Sequence, residues 1–367
     1  VEQSIALTKD LVDNFYVPDL LAIGKMYVEK GMIDGGGLAK KRVMSYGDYP
    51  DDTYTGTSNG DYHKKCIVRS NGVVENFALG VDKATFIPLE GKDFMDPQYL
   101  SEEVDHSWFT YPDGTKTLHP IDGVTDPKFT GPKSGTKEKW EYLDEDKKYS
   151  WIKSPTFKGK TAEVGPLAKY IVVYTKVKQG IIKEPTWAEA MIVRQIDTVS
   201  QVLGVPAHVW MTTMVGRTAC RGLDAQVAAN ISQYFFNKLV SNIKNGDTAV
   251  ADMTKFEPNT WEKDAKGVGL VDAPRGGLGH WIHIKDGRSA NYQCIVPSTW
   301  NACPKTAANE HGAYEDAMID TKVKIADKPL EILKVIHSFD PCLACATHLY
   351  NKKGEKIVSV NTDALCK

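Results

Sequence analysis

Towards its end the chain reads Ser338-Phe339-Asp340-Pro341-Cys342-Leu343-Ala344-Cys345-Ala346-Thr347-His348. In this stretch Cys342, Cys345 and His348 follow one another at intervals of three residues. If Pro341 opens a helix, that spacing places the three side chains along one face. Two thiolates and an imidazole on one face suit a borderline-soft transition metal such as nickel, iron or zinc. The stretch therefore predicts a metal site.

A Cys-x-x-Cys pair has two more ordinary interpretations, namely half of a structural zinc site or a redox dithiol. A structural zinc site needs a second close pair of cysteines, and Cys294 with Cys303 is too loosely spaced to supply it convincingly. A redox dithiol normally lies in a short βαβ context near an N-terminus, unlike this pair. From these residues alone, all three kinds of site stay open.

Composition and charge narrow the class of protein. The chain has 367 residues, of which 42% are hydrophobic and 25% charged, as in an ordinary globular protein. Its 45 basic and 47 acidic residues give a net charge of −2 without a basic block, which argues against a nucleic-acid partner. No run approaches the roughly 18 apolar residues of a membrane span, so we expect membrane association only through a partner subunit. Seven cysteines, an odd number, are unlike a secreted disulfide framework.

The pattern of apolar residues and turn formers predicts an α+β fold with a helical core, peripheral β-structure and long loops. We divide the chain into four regions: an N-terminal helical segment at 1–44, a β- and loop-rich peripheral region at 45–150, a helical core with the metal motif at 151–348, and a terminal stretch at 349–367.

Local signals place the main elements within these regions. Asn71-Gly72 predicts a hairpin that joins strands at 66–68 and 73–74. Asp286-Gly287 predicts a second hairpin, between strands at 281–284 and 290–296. Helical periodicity predicts helices at 1–30 (with a new segment from Pro18), 167–178, 187–203, 224–243 and 329–338.

Two further strings precede the metal motif. The first reads Val271-Asp272-Ala273-Pro274-Arg275-Gly276-Gly277-Leu278-Gly279-His280-Trp281 and combines a proline turn, close-packing glycines and a forked arginine donor. The second reads Asn291-Tyr292-Gln293-Cys294-Ile295-Val296-Pro297-Ser298-Thr299-Trp300-Asn301 and joins an apolar strand to a Pro-Ser turn. Taken singly, the first is typical of a surface turn with a solvated arginine, and the second of a core strand that ends in a loop.

Taken together and in this order, the three strings closely resemble the large subunit of nickel–iron hydrogenases of the uptake type. Further matches are Tyr16-Val17-Pro18-Asp19-Leu20-Leu21, Ser154-Pro155, Ala162-Glu163-Val164-Gly165-Pro166-Leu167 and Gly216-Arg217-Thr218-Ala219-Cys220-Arg221. The resemblance runs over essentially the whole chain, and the Asp-Pro-Cys-x-x-Cys-x-x-His ending is highly specific. It implies the hydrogenase large-subunit fold in an incomplete form.

The resemblance implies a centre of nickel and iron held by four cysteines, with two cyanides and one carbon monoxide on the iron. Cys342 would be a terminal nickel ligand, and Cys345 would bridge nickel and iron. His348 would bind a separate magnesium or iron ion together with the backbone carbonyl of Cys294. The other cysteines match no ligand position; they are Cys66, Cys220, Cys303 and Cys366.

The same resemblance implies roles for residues around that centre. Arg275, on the turn that Pro274 fixes, would extend its guanidinium over the open position where dihydrogen is split. Asp340 would hold that guanidinium by a charge-assisted pair. Arg275 and Ser298 would donate hydrogen bonds to the cyanide nitrogens. The residues that would pack around the carbon monoxide are Leu278, Val296 and Pro297.

The implied activity is the reversible heterolytic cleavage of dihydrogen into two protons and two electrons. The electrons would leave through an iron–sulfur small subunit, because this chain has no cluster-binding set of cysteines. A maturation endopeptidase and nickel- and iron-insertion proteins would be further partners. The mature enzyme would lie on the periplasmic side of the cell membrane through its small subunit, and the unprocessed precursor in the cytoplasm.

Two departures from the family pattern modify these expectations. The Arg-x-Cys-Gly-x-Cys motif that carries the other two metal cysteines does not occur, so the sequence is interpreted as a C-terminal portion with half of the metal ligands. Leu349 to Lys367 extends past the histidine at which mature members end, and is interpreted as a cleavable extension. The alternative function is a non-catalytic fragment, either a scaffold or a zinc-binding protein that uses Cys342, Cys345 and His348.

Overall fold

A computed structural model describes residues 1–51, 65–130, 147–251, 253, 256–319, 321–325, 328–341, 348–350 and 356–359. Within these ranges the α-helices are α1 (Glu2–Leu11), α2 (Val17–Glu29), α3 (Pro166–Lys178), α4 (Trp187–Leu203), α5 (Ala207–Met211), α6 (Met214–Lys244), α7 (Pro297–Asn301), α8 (Ala313–Ile319) and α9 (Leu330–Ser338). Their number and burial confirm the α+β class with a helical core.

The strands of the described ranges form small antiparallel sheets. They are β1 (Arg42–Ser45), β2 (Asp48–Pro50), β3 (Cys66–Val68), β4 (Gly72–Glu75), β5 (Thr85–Ile87), β6 (Leu100–Glu103), β7 (Phe109–Thr110), β8 (Thr117–Leu118), β9 (Asp126–Pro127), β10 (Ser154–Phe157), β11 (Asp264–Ala273), β12 (Gly276–Lys285), β13 (Arg288–Ile295), β14 (His348–Tyr350) and β15 (Lys356–Ser359). The sheets have the strand orders β1-β4-β5, β10-β6-β8, β11-β12-β13, β14-β15, β2-β3 and β7-β9.

Helix bounds follow local capping chemistry. At the start of α4 the Thr186 hydroxyl accepts a hydrogen bond from the Glu189 amide at 3.1 Å, and the Glu189 carboxylate accepts one from the Thr186 amide at 2.9 Å. The helix ends at Gly204, which has a left-handed φ of 69°. The predicted bounds at 187–203 and, within one residue, those at 329–338 are confirmed.

In the described part of the chain, every helix lacks either the length or the apolar character needed to cross a membrane.

Two helical predictions need adjustment. The first segment is continuous, because π-helical residues Val12–Tyr16 join α1 to α2 and Pro18 lies in the first turn of α2. Helix α6 begins at Met214 instead of 224, where the Thr213 hydroxyl accepts a hydrogen bond from the Gly216 amide at 3.2 Å. Its first turns are buried almost all round, so they carry no amphipathic stripe that a sequence pattern would reveal.

The largest core lies between helices α3, α4 and α6 and the strands before them. Strand residues Val43, Ile67 and Val74 are buried in the same cluster as Ile171 of α3 and Leu223 of α6. The β-structure nearest the helices is therefore part of the core. A second core lies beneath the β11–β13 sheet; its largest side chains are Tyr46, Phe94, Trp281 and Trp300.

A buried cluster of charges lies inside this helical body. The Lys169 ammonium donates to the Asp48 carboxylate at 2.6 Å and to both Asp224 oxygens at 3.2 and 3.1 Å. Burial raises the pKa of Asp48 to about 6, with Lys169 acting in the opposite direction. Burial by itself would lower the pKa of Lys169, but the two carboxylates raise it well above its usual value. Lys169 is therefore the cation that compensates the negative charge of the buried Asp48 and Asp224 carboxylates.

The hairpin predicted at Asn71-Gly72 is wrong. Strand β3 pairs with β2, whereas β4 lies between β1 and β5. The Asn71 side chain is instead used for tertiary contacts, since its Oδ1 accepts a hydrogen bond from the Lys176 ammonium at 3.0 Å. Such contacts outweigh local turn preference, and they direct the chain from one sheet to the next.

The hairpin predicted at Asp286-Gly287 is confirmed. Both residues have positive φ values, 50° and 72°, as a type I′ turn between β12 and β13 requires. Strand β11, which was not predicted, completes this sheet on the other side of β12. The register pairs Ala273 with Gly276, so that a two-residue turn connects β11 to β12.

Candidate functional site

The two residues of the β11–β12 turn are Pro274 and Arg275. Gly276, which follows them, has a φ of 119°, and a Cβ atom there would lie 2.4 Å from the Gly165 nitrogen. Only glycine therefore fits at this position, and the turn rests on the backbone that starts α3. Pro274 is exposed and Arg275 is half-buried.

Asp272 anchors the base of the same turn. Its buried carboxylate accepts hydrogen bonds from the Tyr46 amide at 3.1 Å, the Gly47 amide at 3.3 Å and the Ser70 hydroxyl at 3.2 Å, and another from the Ser45 hydroxyl. Burial raises the pKa of Asp272, whereas Lys169 and these donors lower it. The position of the turn is therefore fixed from strand β1 as well as from α3.

Helix α9 delivers the acidic partner of Arg275. Asp340 has a left-handed φ of 54°, and its amide donates to the His337 carbonyl at 3.0 Å, which ends the helix. The Arg275 Nε lies 2.7 Å from the Asp340 carbonyl oxygen and 3.0 Å from its Oδ2. The structure thus brings together two predicted site residues that are 65 positions apart in sequence.

The Arg275–Asp340 pair is open to solvent on one side. The two side chains are 42% and 39% exposed. Within the described ranges, neither terminal nitrogen of Arg275 has a hydrogen-bonding partner. A small cavity of about 20 Å³ lies behind the pair, and the residues that line it include Glu163, Gly165, Arg217 and Phe339. Among the described residues, the two terminal nitrogens of the guanidinium are therefore left as donors beside Asp340.

The other predicted residues of the site lie at the same end of the sheet. Gly279 pairs with Ile295, so Leu278 in β12 and Val296 after β13 are neighbours in register. Pro297 is buried at the start of α7, and Ser298 is half-buried. The side chain of Cys294 is exposed. The structure gives these residues a common location near the turn; their contacts with a metal centre stay predictions.

The metal motif lies mostly outside the described residues, which exclude Cys342 and Cys345. The helix that was expected to open at Pro341 would span residues 342–347 and so lies outside the described residues; of its flanking residues, Pro341 is not helical and His348 begins strand β14. The left-handed turn at Asp340 ends α9 just before the proline. In the described part of the chain, no three His, Cys, Asp or Glu side chains are grouped so that they could hold a metal ion.

The cysteines expected to be ordinary residues are buried where the structure describes them. Burial raises the pKa of Cys66, Cys220 and Cys303 well above that of an ordinary thiol. Thiols of that kind are poor metal ligands and poor nucleophiles. Cys366 lies outside the described residues.

Sequence reasoning gave no role to Glu163, Arg217 and Arg221. Arg217 forms a two-pronged ion pair with Glu163, with Nε–Oε1 and Nη2–Oε2 distances of 2.7 and 2.8 Å. Arg221 donates from Nη1 to the carbonyl of Ser338 at 3.1 Å. The strings that contain these residues matched the family pattern, but only the tertiary structure reveals what they contact.

Comparison with solved structures supports the fold. The reduced Ni-Fe-Se hydrogenase from Desulfovibrio vulgaris Hildenborough matches with a TM-score of 0.65 and 24% identity, over 93% of this chain and 59% of that one. The enzyme from Desulfomicrobium baculatum matches with a TM-score of 0.63 and 24% identity, over 93% and 58%. The expected hydrogenase large-subunit fold is confirmed, over about three fifths of those chains.

Comparison with curated proteins gives the same relationship at higher identity. The uptake hydrogenase large subunit of Rhizobium leguminosarum bv. viciae is 44% identical over 350 residues, which are 95% of this chain and 54% of that protein. The hydrogenase-1 large chain of Escherichia coli (strain K12) is 41% identical over 361 residues, which are 98% and 56%. The chain thus spans about half the length of these relatives.

A family model, described as nickel-dependent hydrogenase, matches residues 1–348. That range includes the Arg275–Asp340 pair and ends at His348, the last residue of the predicted metal motif. Because the match extends over nearly all of the sequence, the chain belongs to the nickel-dependent hydrogenase family.

Proposed function

We propose that this chain is part of a hydrogenase large subunit that reversibly splits dihydrogen into two protons and two electrons at a nickel–iron centre. The observation that carries this proposal is the contact between Arg275 and Asp340. The acid stands two residues before Cys342, so the guanidinium and the metal motif are linked through a very short length of chain.

The residues of this chain fit such a centre in their chemistry. Cys342 and Cys345 supply soft thiolate donors, which nickel and iron both accept. The terminal nitrogens of Arg275, which have no hydrogen-bond partner in the described part of the chain, would supply donors for cyanide nitrogens together with the Ser298 hydroxyl. Carbon monoxide needs an apolar surrounding, which the side chains of Leu278, Val296 and Pro297 would provide at the same end of the sheet.

Each residue then has a distinct task. When bound, the nickel–iron centre would polarise dihydrogen for heterolytic cleavage; one proton would pass to a base of the site, and the second would be released when the two electrons leave for the small subunit. A cysteine thiolate is the base of the site, because a guanidinium carries no acceptor. Arg275 places a fixed positive charge beside the reacting molecule, and Asp340 keeps that charge from moving. Pro274 fixes the turn that carries Arg275.

The remaining partners belong to the same proposal. His348 and the backbone carbonyl of Cys294 would hold a separate magnesium or iron ion. The two electrons would pass to an iron–sulfur small subunit, which would also provide the link to the periplasmic side of the membrane. A maturation endopeptidase and the nickel- and iron-insertion proteins would act on the precursor in the cytoplasm.

The test uses the complete large subunit with its partner, purified without oxygen. We expect hydrogen-dependent reduction of a viologen dye and about one nickel and one iron at the active centre of each large subunit. A Cys342→Ser variant should lose nickel and activity, whereas Cys303→Ser should keep both, because Cys303 is buried and matches no ligand position of the family pattern. A preparation with zinc in place of nickel and no activity would support the scaffold or zinc-binding alternative instead.

The stretch at 349–367 leads to a separate prediction. We expect the maturation endopeptidase to cut between His348 and Leu349, because His348 is the last residue of the metal motif and the family match ends there. Intact-mass analysis of the large subunit from active enzyme should give a C-terminus at His348. Active enzyme that still ends at Lys367 would contradict this prediction.

A further inference from the structure

We propose that Arg217, through its ion pair with Glu163, positions the Arg275–Asp340 pair without touching any reacting group. This inference deepens the proposed function and rests on it for its effect on the rate. Arg217 and Glu163 are a positioning pair, because they act on the site only through the elements that carry Arg275 and Asp340.

The contacts of Arg217 use almost the whole guanidinium. Besides the two bonds to Glu163, Nη1 donates to the Gly35 carbonyl at 2.6 Å and Nη2 to the Gly36 carbonyl at 2.7 Å. The Arg217 and Glu163 side chains are only 3% and 1% exposed. A planar guanidinium that donates hydrogen bonds to four acceptors can adopt only one orientation.

One face of this fixed guanidinium holds the end of helix α9. The Arg217 guanidinium carbon lies 3.8 Å from the centre of the Phe339 ring, which also packs on Tyr314 at a ring-to-ring distance of 4.6 Å. Arg221, one turn further along α6, binds the Ser338 carbonyl. The two residues before Asp340 are therefore both held by α6, and the direction in which the chain leaves the helix is set.

The ion pair also reaches the turn that carries Arg275. The Glu163 backbone is fixed to β1, since its amide donates to the Arg42 carbonyl at 3.1 Å and its carbonyl accepts from the Met44 amide at 2.9 Å. Two residues later comes Gly165, against which Gly276 packs with no room for a side chain. Arg217 thus links the support of Arg275 to the support of Asp340.

Stability alone is a weak reason for such a pair. Replacing a buried ion pair by apolar residues of similar volume is often neutral or stabilising, so burial here needs another explanation. Precise placement of the catalytic groups is such an explanation, because a shift of about 1 Å in a catalytic group lowers the rate by up to about 100-fold. The contacts of Arg217 connect the backbone that supports Arg275 to the helix end that carries Asp340, and a shift of one relative to the other would arise there.

The first test is structural. In a crystal structure of the complete enzyme with Arg217→Lys, we expect the Arg275 Nε to Asp340 contacts to open beyond about 3.5 Å, because lysine keeps the charge but loses the fork and the flat stacking face. The matched control is Arg69→Lys, since Arg69 also pairs with a buried glutamate, Glu189, but faces the start of α4. Both Arg275–Asp340 contacts intact in Arg217→Lys would overturn the proposal.

The second test is kinetic. In Arg217→Lys we expect the kcat of hydrogen oxidation to fall by about 10- to 100-fold, with the KM for hydrogen within about twofold and the nickel content unchanged. Phe339→Leu, which keeps the ion pair but removes the ring, should lose about 3- to 10-fold in kcat. Equal kcat values for these variants and Arg69→Lys would overturn the proposal. Absence of hydrogen oxidation in the unmodified enzyme would instead overturn the proposed function, and the crystal structure would still decide the positioning role.

Discussion

Arg275→Lys in the complete enzyme is expected to lower the kcat of hydrogen oxidation by about 100-fold or more while nickel and iron stay bound. Such a loss corresponds to about 2.7 kcal/mol of transition-state stabilisation. The reason lies in the geometry, because the Nε of Arg275 contacts two oxygens of Asp340, and the two terminal nitrogens have no hydrogen-bond partner among the described residues. A lysine ammonium is a point charge on a flexible stem and cannot reproduce that arrangement.

The control for this prediction is Arg288→Lys in the same sheet. Arg288 is exposed at the opposite end of the β12–β13 hairpin, so we expect its replacement to leave kcat within about twofold. The measurements are viologen-dye reduction rates and metal content for both variants. Parental rates in Arg275→Lys would show that this arginine has no part in the reaction, and loss of metal would make it a residue of centre assembly instead.

Lys169→Met is expected to destabilise the fold by about 3–5 kcal/mol at neutral pH. The substitution keeps the length of the side chain but leaves Asp48 and Asp224 buried without their shared cation. The matched control is Lys178→Met, because Lys178 makes a surface pair with Asp197 in which both partners are substantially exposed. Surface pairs contribute little, so the control should change the free energy of unfolding by less than about 1 kcal/mol.

The destabilisation in Lys169→Met should depend on pH in a defined direction. The pKa of Asp48 is already raised to about 6 in the presence of Lys169, and loss of the cation raises it further. Between its unfolded and folded pKa values this carboxyl binds more protons in the folded state, so the variant gains stability as the pH falls. Urea unfolding of Lys169→Met and Lys178→Met at about pH 5 and pH 8 measures this difference. Equal free energies for both variants at both pH values would show that Lys169 does not hold the cluster together.

Local chemistry allowed part of the fold to be predicted. The hairpin at Asp286-Gly287 needs two residues that tolerate positive φ, and the capping box at Thr186 marks where α4 begins; both signals lie within a few residues. Strand β11 carries no comparable signal, because Gly267 and Gly269 interrupt the pattern of a half-buried strand. Its place in the sheet depends on pairing with β12.

Predicting the candidate site required information beyond local pattern. A family resemblance, not spacing, led to the pairing of Arg275 with Asp340, which the structure brings into contact. Spacing alone did not reveal the left-handed turn at Asp340, which ends α9 just before Pro341, or the strand that begins at His348. A sequence pattern would assign Arg217 to the solvent-exposed face of a helix. Its buried contacts are not apparent from the sequence, because its partners Gly35, Glu163 and Phe339 come from distant parts of the chain.

The separation of Arg275 and Asp340 in sequence also determines the order in which the two residues become available during synthesis. At about 5–20 residues per second, Asp340 is added to the growing chain roughly 3–13 s after Arg275. Hairpin formation takes microseconds, so the β11–β12 turn has ample time to form while its arginine still lacks an acidic partner. The acid and the two cysteines of the metal motif are added within a few residues of one another. Translation therefore supplies the partner that restrains the arginine and the two cysteines of the metal motif almost together, after the β11–β12 turn has had time to form.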